Sequence, residues 1–208
     1  MERYSGYFNM QTDTKMKAIK NYVYTIFDED PTGHDFFHMK RVARMARFIA
    51  VKEGSDLFIC EAAGWVHDVG DKKLFSNRSK ALEQLNHFLR SIDCTATDIN
   101  AIREAVDNIS FSRGKIPASI EGKIVQDADR LDAIGAIGVA RTFSFGGAKG
   151  QLLWHDSEEK RQNTSIQHFY DKLLYLKGLM HTRTAKQIAE QRHRFMEMYL
   201  QQFLNEWQ

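Results

Sequence analysis

The sequence predicts an all-α protein, and three observations carry that expectation. Prolines number only two and glycines thirteen in 208 residues, while the helix formers Leu, Ile, Ala, Lys, Glu and Gln are abundant. Apolar residues recur at three- and four-residue spacings in one stretch after another, the mark of a helix with one buried face. Alternating, strand-like runs are weak throughout. The length suits one large domain with its own core, and no repeat, low-complexity tract or Pro/Ser-rich linker divides it. The expected organisation is a single domain over 1–208: a core of roughly 14–142, an irregular segment 143–165 and C-terminal helices over 166–208.

Composition excludes several function classes. A net charge of +2 gives no case for a nucleic-acid polymer as partner. Cys60 and Cys94 lie far apart without CxxC spacing, so Cys60 reads as a core filler in a reducing compartment. The residues from Met1 to Tyr7 hold no apolar signal core, and nowhere do eighteen apolar residues follow one another. A cytoplasmic protein without a membrane span is expected.

The elements follow in order. Met16, Ile19, Val23, Ile26 and Phe27 mark a helix over Thr14 to Phe27, ended by the Asp28–Gly33 turn with Pro31. A second helix runs from about Asp35 to Glu53 and stops at Gly54, with His38, Val42, Met45 and Ile49 inward and Lys40, Arg44 and Arg47 outward. Ser55 or Asp56 caps the third, whose stripe is Cys60, Ala63, Gly64 and His67; Gly64 there marks a close backbone approach. Leu82, Leu85, Phe88, Leu89 and Ile92 define a fourth. The fifth opens on the capping box Thr95 to Asp98 and ends in Ser110 to Lys115, a small basic loop suited to an anion. The sixth, from near Ser119, carries Ile120, Ile124, Ala128 and Leu131 with Asp127, Asp129 and Asp132 threaded through it. Phe143 to Ser165 reads as irregular, a lid or mobile segment. Leu173, Leu176 and Met180, then Ile188, Phe195, Tyr199 and Phe203, give two C-terminal helices or one interrupted helix, their aromatic and methionine residues serving as core or homodimer contacts.

The chemistry gathers at Ala62 to Asp71, where an apolar run ends in His67-Asp68. A buried carboxylate without a partner costs several kcal/mol, and a divalent cation is the partner the pattern calls for. His38 on one helix, His67 and Asp68 at the end of the next, and an aspartate of the sixth form an N2O2 set. By spacing alone that aspartate is Asp129 or Asp132. Such a set suits Mn²⁺, Fe²⁺, Co²⁺, Ni²⁺, Mg²⁺ or Zn²⁺ and leaves positions open, as a catalytic site requires.

Three spaced motifs, Gly33-His34-Asp35-x-x-His38-x-x-Arg41-Val42, His67-Asp68-x-x-Asp71 and Asp127-Ala128-Asp129-Arg130-Leu131-Asp132, resemble the H…HD…D pattern of the HD-domain metal-dependent phosphohydrolases. The resemblance covers roughly residues 14–142. It implies an all-α fold, one divalent metal on His38, His67, Asp68 and Asp129, and hydrolysis of phosphate esters or anhydrides. It also implies that Asp71 orients or deprotonates the attacking water, a role its chemistry suits. A small bacterial subgroup is similar in Ile109-Ser110-Phe111 and in His168 to Leu173, and for some of its members pyrophosphohydrolase action on nucleoside triphosphates is implied. The extra histidine pair of two-metal cyclic-nucleotide phosphodiesterases and the Gly-Tyr-Pro signature of the cyclic-di-GMP group are both missing, which favours one metal and disfavours cyclic dinucleotides.

Around this set, Lys72, Arg113, Lys115, His168 and Lys172 are candidate contacts to substrate phosphates, against the plainer reading of solvated surface. His34 and Asp35 are candidates to orient a ligand imidazole, although Asp35 serves equally as a helix cap. Asp127 and Asp132 are candidate supports of the ligands or ion-pair partners of Arg130. His87, His155, His181 and His193 carry no argument. The expected function is metal-dependent hydrolysis of a small phosphate substrate, a nucleotide by preference and a nucleoside triphosphate in particular. The alternatives are a nucleotide phosphomonoesterase and a metal-retaining, nucleotide-binding regulator without turnover.

Overall fold

The computed structural model describes residues 2–28, 33–72, 74–107, 109 and 115–207, the side chains of 2–9 excepted. Among the described residues every regular element is a helix, and none of these helices is long and apolar enough to cross a membrane. Cα geometry gives two compact units, 1–126 and 127–208. The boundary falls inside a helix, and each unit is described by itself.

The first unit holds α1 (Glu2–Phe27), α2 (Phe36–Glu53), α3 (Leu57–Val66), α4 (Arg78–Ser91), α5 (Ala96–Val106) and the first half of α6 (Ile120–Asp132). α3 is its centre: every residue from Ile59 to Val66 is buried, and α1, α2 and α5 pack around it. The helix starts are fixed by side chains, as the sequence leads one to expect. Asp35 accepts the His38 N–H at 2.7 Å, Asp56 accepts that of Ile59 at 2.9 Å, and Thr95 and Asp98 cap each other's backbone. Ser55, the other candidate cap, instead donates to Glu121 at 2.7 Å. Gly54 ends α2 at φ 72°, with its N–H on Ala50 O. Helix α1 reaches back to Glu2, well ahead of Thr14, because only Gly6 in the preceding residues weakens a helix.

α2 and α3 cross closely. A Cβ on Gly64 would stand 2.7 Å from Ala43 Cα, so the buried stripe of α2 runs through Ala43, Ala46 and Ala50, while Met45 is only half-buried. Gly64→Ala is therefore expected to force the two backbones apart and destabilise the protein by about 1–3 kcal/mol, read as a lowered unfolding midpoint. Glu61, the only carboxylate of α3, is buried between Arg47 at 3.1 Å and Lys20 at 3.6 Å. Cys60 is a core thiol, pushed by burial up to about 12, and neither Cys60 nor Cys94 is in a disulfide.

The second unit contains the end of α6, then α7 (Gly135–Ala148), α8 (Glu158–Arg161), α9 (Ser165–Asp171), a 3-10 helix (Leu173–Leu179) and α10 (Arg183–Trp207). The segment expected to be irregular from Phe143 starts later, because α7 continues through Ala148. Gly146 is not a turn residue: a Cβ there would collide with Ser165 Oγ, so the glycine serves a close approach of α7 to α9. The non-helical stretch that follows is fastened, since Leu152 O and Leu153 O accept the N–H groups of Ser165 and Ile166 at 3.0 Å. α10 packs on α7 and the 3-10 helix. Phe143, Phe169 and Tyr199 meet ring to ring, and Phe203 and Trp207 extend that ladder.

Candidate metal centre

The first unit brings His34, His38, His67 and Asp68 together. His38 is delivered by the first turn of α2, whose cap bonds its own amide. His67 and Asp68 stand where α3 ends, in a turn closed by Val69 N–H on Val66 O and Asp71 N–H on Asp68 O, both at 3.0 Å. Gly70 takes φ 84° in that turn, a conformation that favours glycine. A helix C-terminus carries partial negative charge and so favours a cation beside it.

Around Asp68 Oδ2, His34 Nδ1 lies at 2.7 Å, His67 Nε2 at 3.4 Å and His38 Nε2 at 3.7 Å. The His38 and His67 rings are edge to face with centroids 5.1 Å apart, and both histidines are buried. Ligand atoms held about 2.0–2.2 Å from one ion lie roughly 3–3.6 Å from each other. The separations of His67 and His38 from Asp68 are of that size, and too long for hydrogen bonds.

The tautomer of His67 is fixed as a ligand requires. Its Nδ1 lies 2.9 Å from Gly64 O; a carbonyl only accepts, so Nδ1 carries the proton and donates. In the neutral ring Nε2 is then left with its lone pair toward Asp68. Burial alone would push the Asp68 carboxyl up, but in the protonated form of the cluster the charge of His67, the hydrogen bond and charge of His34 and the charge of His38 hold it well below the usual carboxylate range, a role that a cation would take over from those protons. The donor set of two imidazole nitrogens and one ionised carboxylate fits a divalent cation, and His34, His38 and Asp68 form a group able to hold one.

The three aspartates of α6 separate by their partners in the second unit. Asp127 accepts from His181 N at 2.9 and 3.1 Å, and from Thr182 N and Thr182 Oγ1 at 2.8 Å each. Burial pushes its carboxyl up, and those donors offset part of the effect. Asp132 receives Arg141 at 2.8 Å, so its ion-pair partner is Arg141 and not Arg130. Arg130 donates to Leu179 O and to His181 Nε2, and Arg192 donates to Leu131 O. Asp129 lies half-buried on the same helix.

Asp71 directly follows the Gly70 turn, its carbonyl accepting from Leu74 and Phe75. Lys72 and Lys115 are exposed in the first unit; His168 is exposed and Lys172 half-buried at the end of α9 in the second. Arg113 lies outside the described residues. Asp35 is engaged as the cap of α2. Two features went unread in the sequence. Gln126 donates to Ile109 O at 3.3 Å and Lys115 O at 3.1 Å, and so ties both flanks of the basic loop; a buried amide beside Asp127 was its only signal. His181 and Thr182 brace α6 mainly through their backbone, which leaves no trace in residue type.

Family profiles agree with this geometry: the HD-domain profile matches residues 35–134. The chain belongs to the HD-domain superfamily, in its YpgQ-like branch. It is 42% identical over 190 residues to YpgQ of Bacillus subtilis (strain 168), covering 89% of this chain and 90% of that protein. The crystal structure of B. subtilis YpgQ in complex with ADP superposes with a TM-score of 0.83 at 38% identity, over 94% of this chain and 96% of that one. An HD-superfamily hydrolase from Bacillus thuringiensis gives a TM-score of 0.81 at 40% identity, over 94% and 98%.

Proposed function

We propose that this protein is a divalent-metal-dependent phosphohydrolase of nucleotides, with cleavage of a nucleoside triphosphate to monophosphate and pyrophosphate as the favoured reaction. The observation that carries the reading is the pair of buried imidazole Nε2 atoms set at ligand separation from an ionised Asp68. A nucleotide substrate is supported by the relative whose structure holds ADP.

His38 and His67 through Nε2, Asp68 through its carboxylate and Asp129 from α6 would hold the ion. Asp129 is preferred because the segment Ala128-Asp129-Arg130-Leu131 resembles the family's motif there, and because its carboxylate lies within 4.8 Å of ligand nitrogens of His38 and His67. When bound, the ion supplies a Lewis acid beside the reacting water and phosphoryl oxygen. Asp71 orients that water and takes its proton. The water oxygen bonds to the α-phosphorus as the α–β bridging oxygen leaves with pyrophosphate. Lys72, Arg113, Lys115, His168 and Lys172 are the cations and donors offered to the polyphosphate.

The test is a panel of nucleotides with Mn²⁺, Mg²⁺, Fe²⁺, Co²⁺, Ni²⁺ and Zn²⁺ in turn. Equimolar monophosphate and pyrophosphate are expected. Inorganic phosphate released from monophosphates would replace the reading with a phosphomonoesterase, and no turnover with any ion would leave a nucleotide-binding regulator. Asp71→Asn is expected to lower kcat by about 10²–10⁴-fold while the protein retains its metal by elemental analysis; an unchanged kcat would remove Asp71 from the mechanism.

A further inference from the structure

Gln126 is 1% exposed, in a stretch of α6 where Ile124 and Val125 are fully buried. An amide placed there costs free energy unless its polar atoms find partners. Its Nε2 donates to Ile109 O at 3.3 Å and to Lys115 O at 3.1 Å. Both partners are carbonyls, which only accept, so the amide must turn its nitrogen and not its oxygen toward them. The two N–H groups of one side chain are thus committed to the two ends of one short segment. Ile109 and Lys115 are six positions apart, and an extended chain would separate them by about 20 Å.

The segment closed in this way is basic: 109–115 holds Arg113 and Lys115 and no carboxylate. Lys115 combines an exposed side chain with an anchored carbonyl. The chain just beyond it is seated on the same helix. Ser119 Oγ accepts the Gly122 N–H at 3.2 Å, and a Cβ on Gly122 would stand 2.7 Å from Pro117 Cβ. Gly122 and Gln126 are one turn apart, so α6 holds the backbone at Lys115 and again two residues later. A lysine is a point charge on a flexible stem. Fixing its backbone beforehand removes part of the ordering that binding an anion would otherwise cost.

We propose that Gln126 is a positioning residue for the polyphosphate of the substrate: it sets the backbone from which Lys115 reaches the phosphates and leaves the ion to other residues. This role rests on the phosphohydrolase reading above for its ligand. Gln126 also stands one turn ahead of Asp129 on α6, so one helix carries both the anchor of a phosphate contact and the proposed fourth ion ligand.

The test uses Gln126→Met, which keeps the length of the side chain and removes its donors. In the Mn²⁺-loaded full chain, KM for a nucleoside triphosphate and the dissociation constant of inorganic pyrophosphate, read by calorimetry, are both expected to rise about tenfold or more. Metal content by elemental analysis and kcat are expected to stay within threefold of the parent. Lys115→Ala should weaken pyrophosphate as well, and the two changes combined should cost little more than either alone, because one acts through the other. Gln126→Asn keeps the amide but draws it back by one carbon; it is expected to repeat the loss and serves should the methionine variant fail to fold. Unchanged pyrophosphate affinity in both variants, metal lost along with it, or full additivity with Lys115→Ala overturns the role. Pyrophosphate binding does not need turnover, so a protein that hydrolyses no nucleotide yet loses pyrophosphate in Gln126→Met refutes the reaction and upholds the anchor.

Discussion

His67→Ala is expected to lose about a thousandfold or more in kcat/KM together with its bound metal. The Lewis acid is worth several kcal/mol at the transition state, and each 1.4 kcal/mol is a factor of ten. His67 contributes twice to that hold. Its Nε2 is the proposed ligand atom, its proton already placed on Nδ1 by Gly64 O, and its ring seats that nitrogen 3.4 Å from Asp68 Oδ2. His34→Ala should behave differently, lowering metal affinity by about 10–100-fold, because His34 acts on the ion through its 2.7 Å bond to Asp68 Oδ2. Elemental analysis and titration with Mn²⁺, alongside activity and a circular-dichroism melt, separate lost metal from lost fold. A folded His67→Ala protein with full metal content and activity within tenfold of the parent would place the chemistry elsewhere.

The second large effect is on stability. Asp127→Ala is expected to cost about 3–5 kcal/mol, because it strands the His181 N–H, the Thr182 N–H and the Thr182 hydroxyl in a buried place and removes the carboxylate beside Arg130. For a chain of this size that corresponds to a fall of roughly 6–20 °C in Tm. Asp127→Asn should recover only part of it, since its NH2 group would face donors instead of accepting from them. Arg141→Ala, which takes one partner from buried Asp132, should cost less, because the charge of Arg192 still faces that carboxylate. A melt of Asp127→Ala within 2 °C of the parent would mean that water replaces the carboxylate and that α6 is not braced in this way.

The sequence made the helix class legible because stripe spacing and caps are local. Asp35, Asp56 and Thr95 are one-turn devices, and Gly54 is a one-residue stop. The cluster His38, His67 and Asp68 could be read because its motifs are short and each sits at a helix end. What could not be read depended on partners distant in the chain. Asp132 chose Arg141 over the nearer Arg130, Ala43 replaced Met45 in the buried stripe because Gly64 lets α3 approach, and the stretch from Phe143 read as irregular because the hydroxyl of Ser165 for which Gly146 makes room lies nineteen positions on. His181 and Thr182 act mainly through backbone amides, which no residue pattern announces.

The carboxylate that opens α2 accepts the amide of His38 itself. The start of a helix and the seat of the proposed ion ligand are therefore one device, and neither can loosen without the other. Fraying at that end, a minor event in most helices, would here release the cation, so occupancy of the site should report on the integrity of the first turn long before the rest of the molecule melts.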